Sequence, residues 1–458
     1  MPQLTPAVAE KPSRMRYAVL AVACALALLT YVNRLAFGVA ASNIRDDLGL
    51  NDEQMGYLAS SFLLAYGLFQ LPGGFLADRL GGRMLLTVLV TGWSLLSGAT
   101  ALGLFFQAGT SGAFVFLLVL RFAFGILQAA EFPSLSRVMA DWMPVGERGT
   151  AMGMIWMFSR VGGAAVPFLF TGMLWLFGTW TTPFWVMAAM GLLWCAGFWP
   201  WFRDQPAAKR GVNGAELEVI AAGRTVSSLK KEPISPLSLL SSRNVWALCL
   251  MYGFVGFGGN FFTNMMPLYL SSHRKLEGWE FTVVSAMPLG FAIGSCFLGG
   301  FVSDWIVRRW KSRKWGRRLV GFVGLSMAAV ATFCVPYAGS VWALGLLLSA
   351  AFFCNDLNIA PAWAACADVG EQHTGKVSGA MNMVGSFAGA AGTAFAGYFF
   401  HRGHGEFVLI AYSLSYALAA LCWLAVDVTQ PLVRPAAVPL VAEDHPSIIV
   451  EPCVEATS

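Results

Sequence analysis

Residues 74–83 read Gly74-Phe75-Leu76-Ala77-Asp78-Arg79-Leu80-Gly81-Gly82-Arg83 and close a long apolar stretch. A shorter echo, Gly300-Phe301-Val302-Ser303-Asp304, closes another, followed by Arg308, Arg309, Arg317 and Arg318. The two Asp stand 226 residues apart, at corresponding points of the two halves of the chain. In each copy the Gly lets a neighbouring helix approach, and the Asp can cap a helix end or pair with Arg. One such loop alone is an ordinary charged turn. Repeated at matching positions, G-x-x-x-D marks an internal duplication.

The surrounding composition says where the duplicated unit resides. The chain has 458 residues, 57% hydrophobic and 12% charged, with a mean hydropathy of +0.62. Soluble proteins carry about 25% charged residues, so this chain cannot clothe a water-facing surface. Its 35 Phe and 17 Trp exclude disorder, and its 49 Gly follow no collagen period. Twelve stretches reach the length of about 20 apolar residues that a spanning helix needs. They are 17–39, 55–77, 84–106, 113–136, 150–176 and 183–202, then 244–271, 281–303, 318–337, 340–366, 376–400 and 405–426. None alternates at period two, which argues against a β-barrel. The expectation is an all-α integral membrane protein with 12 transmembrane helices in two six-helix halves.

The placement of basic residues sets the orientation. With the N-terminus in the cytoplasm, 23 of the 30 Lys and Arg fall in cytoplasmic segments, 4 fall on the opposite side (Arg45, Arg274, Lys275, Arg402) and 3 lie within spans. That asymmetry follows the positive-inside rule, with both termini cytoplasmic. The excess of basic charge is therefore topological, and no nucleic-acid partner is implied. The sequence divides into an N-terminal segment 1–16, a six-helix half 17–202, a central loop 203–243, a second half 244–426 and a cytoplasmic tail 427–458 that reads as disordered. Residues 1–16 are polar and the first apolar stretch lacks a cleavage site, so no signal peptide is expected. The nine Cys are scattered without a C-x-x-C pair and read as free thiols, with no metal site.

The motif G-x-x-x-D-R-x-G-x-R over Gly74–Arg83 resembles the signature loop of the major facilitator superfamily, and the resemblance covers almost the whole chain. A second layer resembles the anion:cation symporter branch, whose members include hexonate, hexuronate, glucarate and phthalate carriers. It rests on Tyr31-x-x-Arg34, Arg121-Phe-x-x-Gly125, Phe132-Pro133, Asp141-Trp142-x-Pro144 and Glu147-Arg148-Gly149. Pro267-x-Tyr269-Leu270, Asp368-x-Gly370 and Ser378-Gly379-x-x-Asn382 complete it. The resemblance implies a functional monomer in the bacterial inner membrane that carries a small organic anion by alternating access. It assigns Arg34 to a substrate carboxylate and Gly74, Asp78, Arg79, Gly81, Arg83, Gly300 and Asp304 to the gating and structural loops.

Ionisable groups inside spans are costly and are functional candidates by default. The cations are Arg34, Arg121 and Arg160; the acids are Glu131 and Asp356. A guanidinium matches a carboxylate bidentately, so Arg34, beside Tyr31 and Asn33, is a candidate anion contact; the alternative is an Arg snorkelling to the interface. Arg121 lies seven positions before Gln128, two turns along one face, so both can line one cavity. Arg121 reads equally as a substrate contact or as a structural partner of an acid. Arg160, among small residues, is a second anion contact. Many relatives carry Asp and Glu where this chain has Asn33 and Gln128, and those acids are linked with proton coupling. Neither amide changes charge, so coupling has moved or is lost. Glu131 or Asp356 is the candidate proton acceptor, against a permanent Arg–carboxylate pair. Tyr252, Asn260, Asn264 and Asn382 could complete a pocket for a hydroxylated acid, or bond between helices.

Other classes fail on their chemistry. No G-x-x-x-x-G-K-[ST] serves an ATP-driven pump, and Gly253, Gly256, Gly258 and Gly259 fall within a span. His273, His373, His401, His404 and His445 form no H-E-x-x-H, and no enzyme constellation or cofactor is expected. What remains is an organic anion carrier, by proton symport or by uncoupled or exchange transport, with H+ and the lipid bilayer as its other partners. The orientation is open to test: a reporter active only in the cytoplasm, fused at residue 426 or within 203–243, is expected to be active at both points.

Overall fold

A computed structural model of the chain describes residues 10–106, 110–222, 239, 241–430 and 432. Its α-helices are α1 Met15–Val39, α2 Ala41–Leu48, α3 Asp52–Leu80, α4 Gly82–Thr100, α5 Ser111–Ala129, α6 Glu131–Trp142, α7 Arg148–Phe177 and α8 Thr181–Trp201, then the short α9 Gly214–Ala221. The second part holds α10 Arg243–Asn260, α11 Gly278–Trp310, α12 Arg313–Cys334, α13 Val341–Leu357, α14 Ile359–Gly370, α15 Thr374–His401 and α16 Gly405–Ala425. Among the described residues there is no strand, and 11 helical runs are long and apolar enough to cross a membrane. One run, Val341–Phe400, contains 60 residues. As one straight helix it would reach about 90 Å, against a hydrocarbon layer of about 30 Å. It is broken at Glu371, whose φ of 46° is left-handed, between α14 and α15.

Several apolar stretches are less regular than their composition predicts. The stretch 113–136 steps at Ala130 between α5 and α6, and 340–366 steps at Asn358 between α13 and α14. The stretch 244–271 is continuously α-helical only to Asn260; beyond it, π-helical turns at Phe261–Met265 and Tyr269–His273 flank a single α-helical turn, Met266–Leu268, that holds Pro267. Proline lacks the N–H that an unbroken helix would need there. The start of the tail is also held. Asn244 donates to the Asp427 and Gln430 carbonyls at 2.8 and 3.0 Å, and the Leu432 N–H donates to Val369 O at 2.9 Å. Partial burial pushes the Asp427 carboxyl up, but hydrogen bonds from Lys314 and Thr429 outweigh it and hold it down at about 2. Residues 433–458 and 223–238, the rest of the tail and the middle of the central loop, lie outside the described residues.

The helices pack α1 on α7, α3 on α5 and α4 on α8, and again α10 on α15, α11 on α13 and α12 on α16. Two further contacts, α7 on α11 and α3 on α15, join the parts. There the duplicated motif acts twice in the same way. Asp78 accepts the backbone N–H groups of Gly375 and Lys376 at 2.9 Å each, at the start of α15. Asp304 accepts those of Gly149 and Thr150 at 3.2 and 2.5 Å, at the start of α7. Each carboxylate thus satisfies orphan donors, and opposes the dipole, of a helix from the other part of the chain. The glycine four residues earlier makes room: a Cβ on Gly74 would strike the Gly375 carbonyl, and one on Gly300 the Gly149 carbonyl. The arginines diverge. Arg79 is exposed and Arg83 turns away to Trp199 O at 2.9 Å, whereas Asp304 also binds Arg317 at 2.5 Å.

Arg317 is fully buried and also reaches Asp368 at 3.2 Å, which pairs with Arg148 at 2.9 Å. Arg137 and Arg308 add bonds across the same end, to Glu371 O and Gly146 O, both at 2.9 Å. Among the described residues, the hydrogen bonds and ion pairs joining 17–202 to 244–426 lie at this charged end or midway along the helices. Asp304→Asn leaves Arg317 undercompensated and is expected to cost about 3 kcal/mol. Asp78→Asn keeps one acceptor and should cost about 1 kcal/mol. Apparent midpoints of thermal unfolding of the purified protein check both values and their order.

Candidate functional site

Arg34 lies in the second half of α1, a helix whose other side chains are mostly apolar. Its Nε donates to Gln128 Oε1 at 2.8 Å, and its guanidinium lies 5.0 and 4.5 Å from the ring centres of Tyr31 and Tyr66. One terminal nitrogen, Nη2, is buried with no hydrogen-bond partner. The fork is therefore positioned by one face and left unsatisfied on another. Arg34 does not snorkel; it points among α1, α3 and α5.

Around it the structure assembles residues from both parts of the chain. Asn382 donates to Tyr66 Oη at 3.5 Å, and Gln70 donates to Ser386 Oγ at 3.0 Å. Tyr31 meets Trp156 and Phe132 edge-on, with centroids 6.3 and 6.1 Å apart, and Phe132 stacks on Trp156 at 4.4 Å. Trp363 closes this cluster from α14, 5.6 Å from Trp156, and donates to Tyr252 Oη at 3.2 Å. Tyr252 is thus engaged by an indole. Trp156 lies in the shared core, whereas Trp175 is 84% exposed. Asn260 is half-buried against Gly389, and the side chain of Asn264 lies outside the described residues.

The charged residues separate into three settings. Arg160 binds Asp356 through Nη2 at 2.9 Å and Nε at 3.0 Å, an ion pair that joins α7 to α13. Asp356 is fully buried and also accepts from Asn355 at 3.0 Å and Cys296 Sγ at 3.7 Å. Glu131, equally buried, takes a short hydrogen bond from the Thr30 hydroxyl, while its second oxygen has no partner. Arg121 stands apart. It does not share a cavity with Gln128, which turns to Arg34 and the Thr30 carbonyl. Its guanidinium instead lies over Phe37, Phe62 and Phe124, and it lines a small cavity with Asn33, Ser97 and Thr100. Among the described residues Arg121 has no ion-pair partner.

Comparison with known proteins shows the family. The Major Facilitator Superfamily model matches residues 23–393. The chain belongs to the major facilitator superfamily. It is 30% identical over 389 residues to the probable sulfoacetate transporter SauU of Cupriavidus necator, covering 85% of this chain and 88% of that protein. It is 31% identical over 407 residues to the probable galactarate/D-glucarate transporter GudP of Bacillus subtilis, covering 85% and 87%. With the hexuronate transporter of Bacillus subtilis it shares 30% over 382 residues, 81% and 85% of the two chains. The proton:xylose symporter XylE, solved with 6-bromo-6-deoxy-D-glucose, superposes with a TM-score of 0.72 at 16% identity, covering 92% and 98%. The human organic anion transporter MFSD10 does so at 0.64 and 17% identity, covering 90% and 100%. These two show the shared fold. The relatives match the anion:cation symporter branch; this superfamily member is a transporter, a multi-pass protein of the cell membrane, and not an enzyme.

Tyr66, Gln70 and Trp363 escaped the sequence reading. Tyr66 and Gln70 are spaced i, i+4 within a mostly apolar span, so they share a helix face, and that pairing was the available signal. Trp363 carried none, because an aromatic in a span is ordinary. The Arg160–Asp356 pair generates a thermodynamic test. Asp356→Asn strands a buried guanidinium and should cost about 3–5 kcal/mol. The double variant Arg160→Gln/Asp356→Asn removes both charges and should recover most of that loss in thermal unfolding midpoint.

Proposed function

We propose that the protein carries a small organic anion across the membrane by alternating access, and that this anion is a sugar acid: a hexonate, hexuronate or aldarate. The observation that carries the reading is Arg34, whose half-buried guanidinium is oriented by Gln128, walled by Tyr31 and Tyr66, and unsatisfied at a buried Nη2. A carboxylate there completes a charge-assisted hydrogen bond in a low-dielectric site, where such bonds are strongest. Tyr31, Tyr66 and Asn382 offer hydroxyl and amide partners beside it, chemistry that suits a polyhydroxylated acid. The names of the bacterial relatives support the same substrate class. In this reading Arg160 supplies a second anion contact when it leaves Asp356.

The transport cycle we infer uses 12 spans in two six-helix halves, 17–202 and 244–426, with both termini cytoplasmic and the monomer as the working unit. The break at Glu371 supports counting Val341–Phe400 as two spans. The end crossed by Asp78 and Asp304 is then cytoplasmic, and its closure corresponds to a carrier that faces outward. Proton symport is part of the proposal, with Asp356 or Glu131 as the acceptor: a substrate carboxylate that draws Arg160 away leaves Asp356 free to take a proton. A second reading is uncoupled or exchange transport of an aromatic acid or dicarboxylate. Asn33 and Gln128 favour it, because neither amide titrates.

Purified protein screened against sugar acids, aromatic acids, dicarboxylates and sulfonated acids tests the substrate class, since a ligand at 100-fold its Kd stabilises by about 2.7 kcal/mol. Arg34→Lys should weaken the active acid by about 10- to 100-fold, the worth of a charge-assisted hydrogen bond. In proteoliposomes, Glu131→Gln or Asp356→Asn should abolish the response of uptake to an imposed pH gradient while substrate binding survives. Gradient-driven uptake undiminished in both variants sinks the coupling scheme, and acid binding unchanged in Arg34→Ala sinks the anion site.

A further inference from the structure

Arg121 is only 8% exposed, its Nε has no hydrogen-bond partner, and among the described residues no carboxylate pairs with it. The charge acting on it is that of a second cation, Arg34. Phe62 lies near both guanidinium groups, 4.7 Å from that of Arg121 and 5.8 Å from that of Arg34. A buried charge is normally paired, because desolvation alone costs several kcal/mol. The aromatic rings of Phe37, Phe62 and Phe124 relieve part of that cost, since cation–π contacts contribute only about 2 kcal/mol each at best. The guanidinium also lines a small cavity together with Asn33, Ser97 and Thr100, with Phe124 and Phe184 among its apolar walls.

The walls of that cavity have the character of an anion cradle. Ser97 is buried and has a hydroxyl to donate, and Asn33 spends one amide hydrogen on Leu29 O at 3.1 Å and keeps the other. Thr100 donates its own hydroxyl to Leu96 O at 3.0 Å and so presents only an acceptor. The cavity is far smaller than a six-carbon acid. It holds a particle about the size of one water molecule. Gln128 and the free face of Arg34 do not line it.

We propose that Arg121, with Asn33 and Ser97, binds a halide-sized inorganic monovalent anion as a resident counter-ion, separate from the Arg34 substrate site. The anion completes a charge pair that the protein chain itself leaves open. It holds α1, α4 and α5 together from within and screens Arg34 from Arg121. The proposal stands whether the transported acid is a sugar acid or another anion.

The test compares purified parent protein with Arg121→Gln and Asn33→Asp in sodium sulfate, whose doubly charged tetrahedral anion exceeds the cavity. Chloride or bromide then replaces sulfate at constant sodium and ionic strength. The parent should show a saturable rise in thermal midpoint with halide, absent from Arg121→Gln. Asn33→Asp places a tethered carboxylate on the cavity wall, so it should be more stable than the parent in sulfate and indifferent to halide. This second variant keeps the test decisive if Arg121→Gln fails to fold. Bromide located beside Arg121 by anomalous scattering would confirm the site. No saturable halide response in the parent, or an undiminished response in Asn33→Asp, overturns it.

Discussion

Two carboxylates, each seated on the start of a helix from the other part of the chain, set the geometry on which everything else rests. A helix beginning at a membrane boundary exposes N–H groups with no partner within the helix. Asp78 supplies one such start, at Gly375 and Lys376, and Asp304 supplies the other, at Gly149 and Thr150. The carboxylate reaches only because Gly74 and Gly300 bring two backbones into contact one turn earlier. Glycine and aspartate are therefore two parts of one joint, which explains why the spacing between them is the element that is duplicated. In the proposed transport cycle the joint must also be reversible. Opening that end requires both carboxylates to leave their helix starts and the freed N–H groups to find water, a modest exchange compared with parting an apolar interface.

The two joints are unequal in strength. Asp78 makes its contacts largely through backbone donors, while Asp304 belongs to a buried network in which Arg317, Asp368 and Arg148 share charge. Removing one member of that network leaves another charge uncompensated in a place without solvent. The α7–α11 side is thus the stiffer of the two, and the α3–α15 side the more readily parted. A carrier that rocks about a fixed mid-membrane site can use that inequality, with one side serving as the more persistent contact.

Much of this was legible in the sequence, and what was not has physical causes. Charge scarcity exposed Arg34, Arg121, Arg160, Glu131 and Asp356, because lipid makes each of them expensive. The duplicated motif located both joints. Pairing was not legible: Arg160 and Asp356 are 196 residues apart and meet only when two helices from different parts of the chain cross. The reach from Arg121 to Gln128, inferred from heptad spacing, is spoiled by Arg34, which captures Gln128 from another helix. Helix periodicity gives the face on which a side chain lies but not which neighbour competes for it. Tyr66 was missed for the same reason, since a tyrosine declares itself only once an arginine is found against its ring. The steps at Ala130 and Asn358 are invisible to hydropathy, which measures depth in lipid and not the path of the backbone.

The charges at mid-depth follow one rule. Each buried cation needs an anion, and the three arginines differ in where theirs comes from. Arg160 has one within the chain, Asp356, which ties two helices together. Arg34 has a neutral amide and an open nitrogen, which in the proposed function a substrate carboxylate fills. Arg121 has neither acid nor amide bond, only aromatic faces and a small polar cavity. A carrier built this way need not lose its coupling when amides stand at positions 33 and 128. The titrating group can instead be the acid released when the incoming anion competes for its arginine. Arg160 is the only one of the three with such an acid to release among the described residues, so in the proposed cycle the α7–α13 contact is where substrate charge and proton charge would be exchanged.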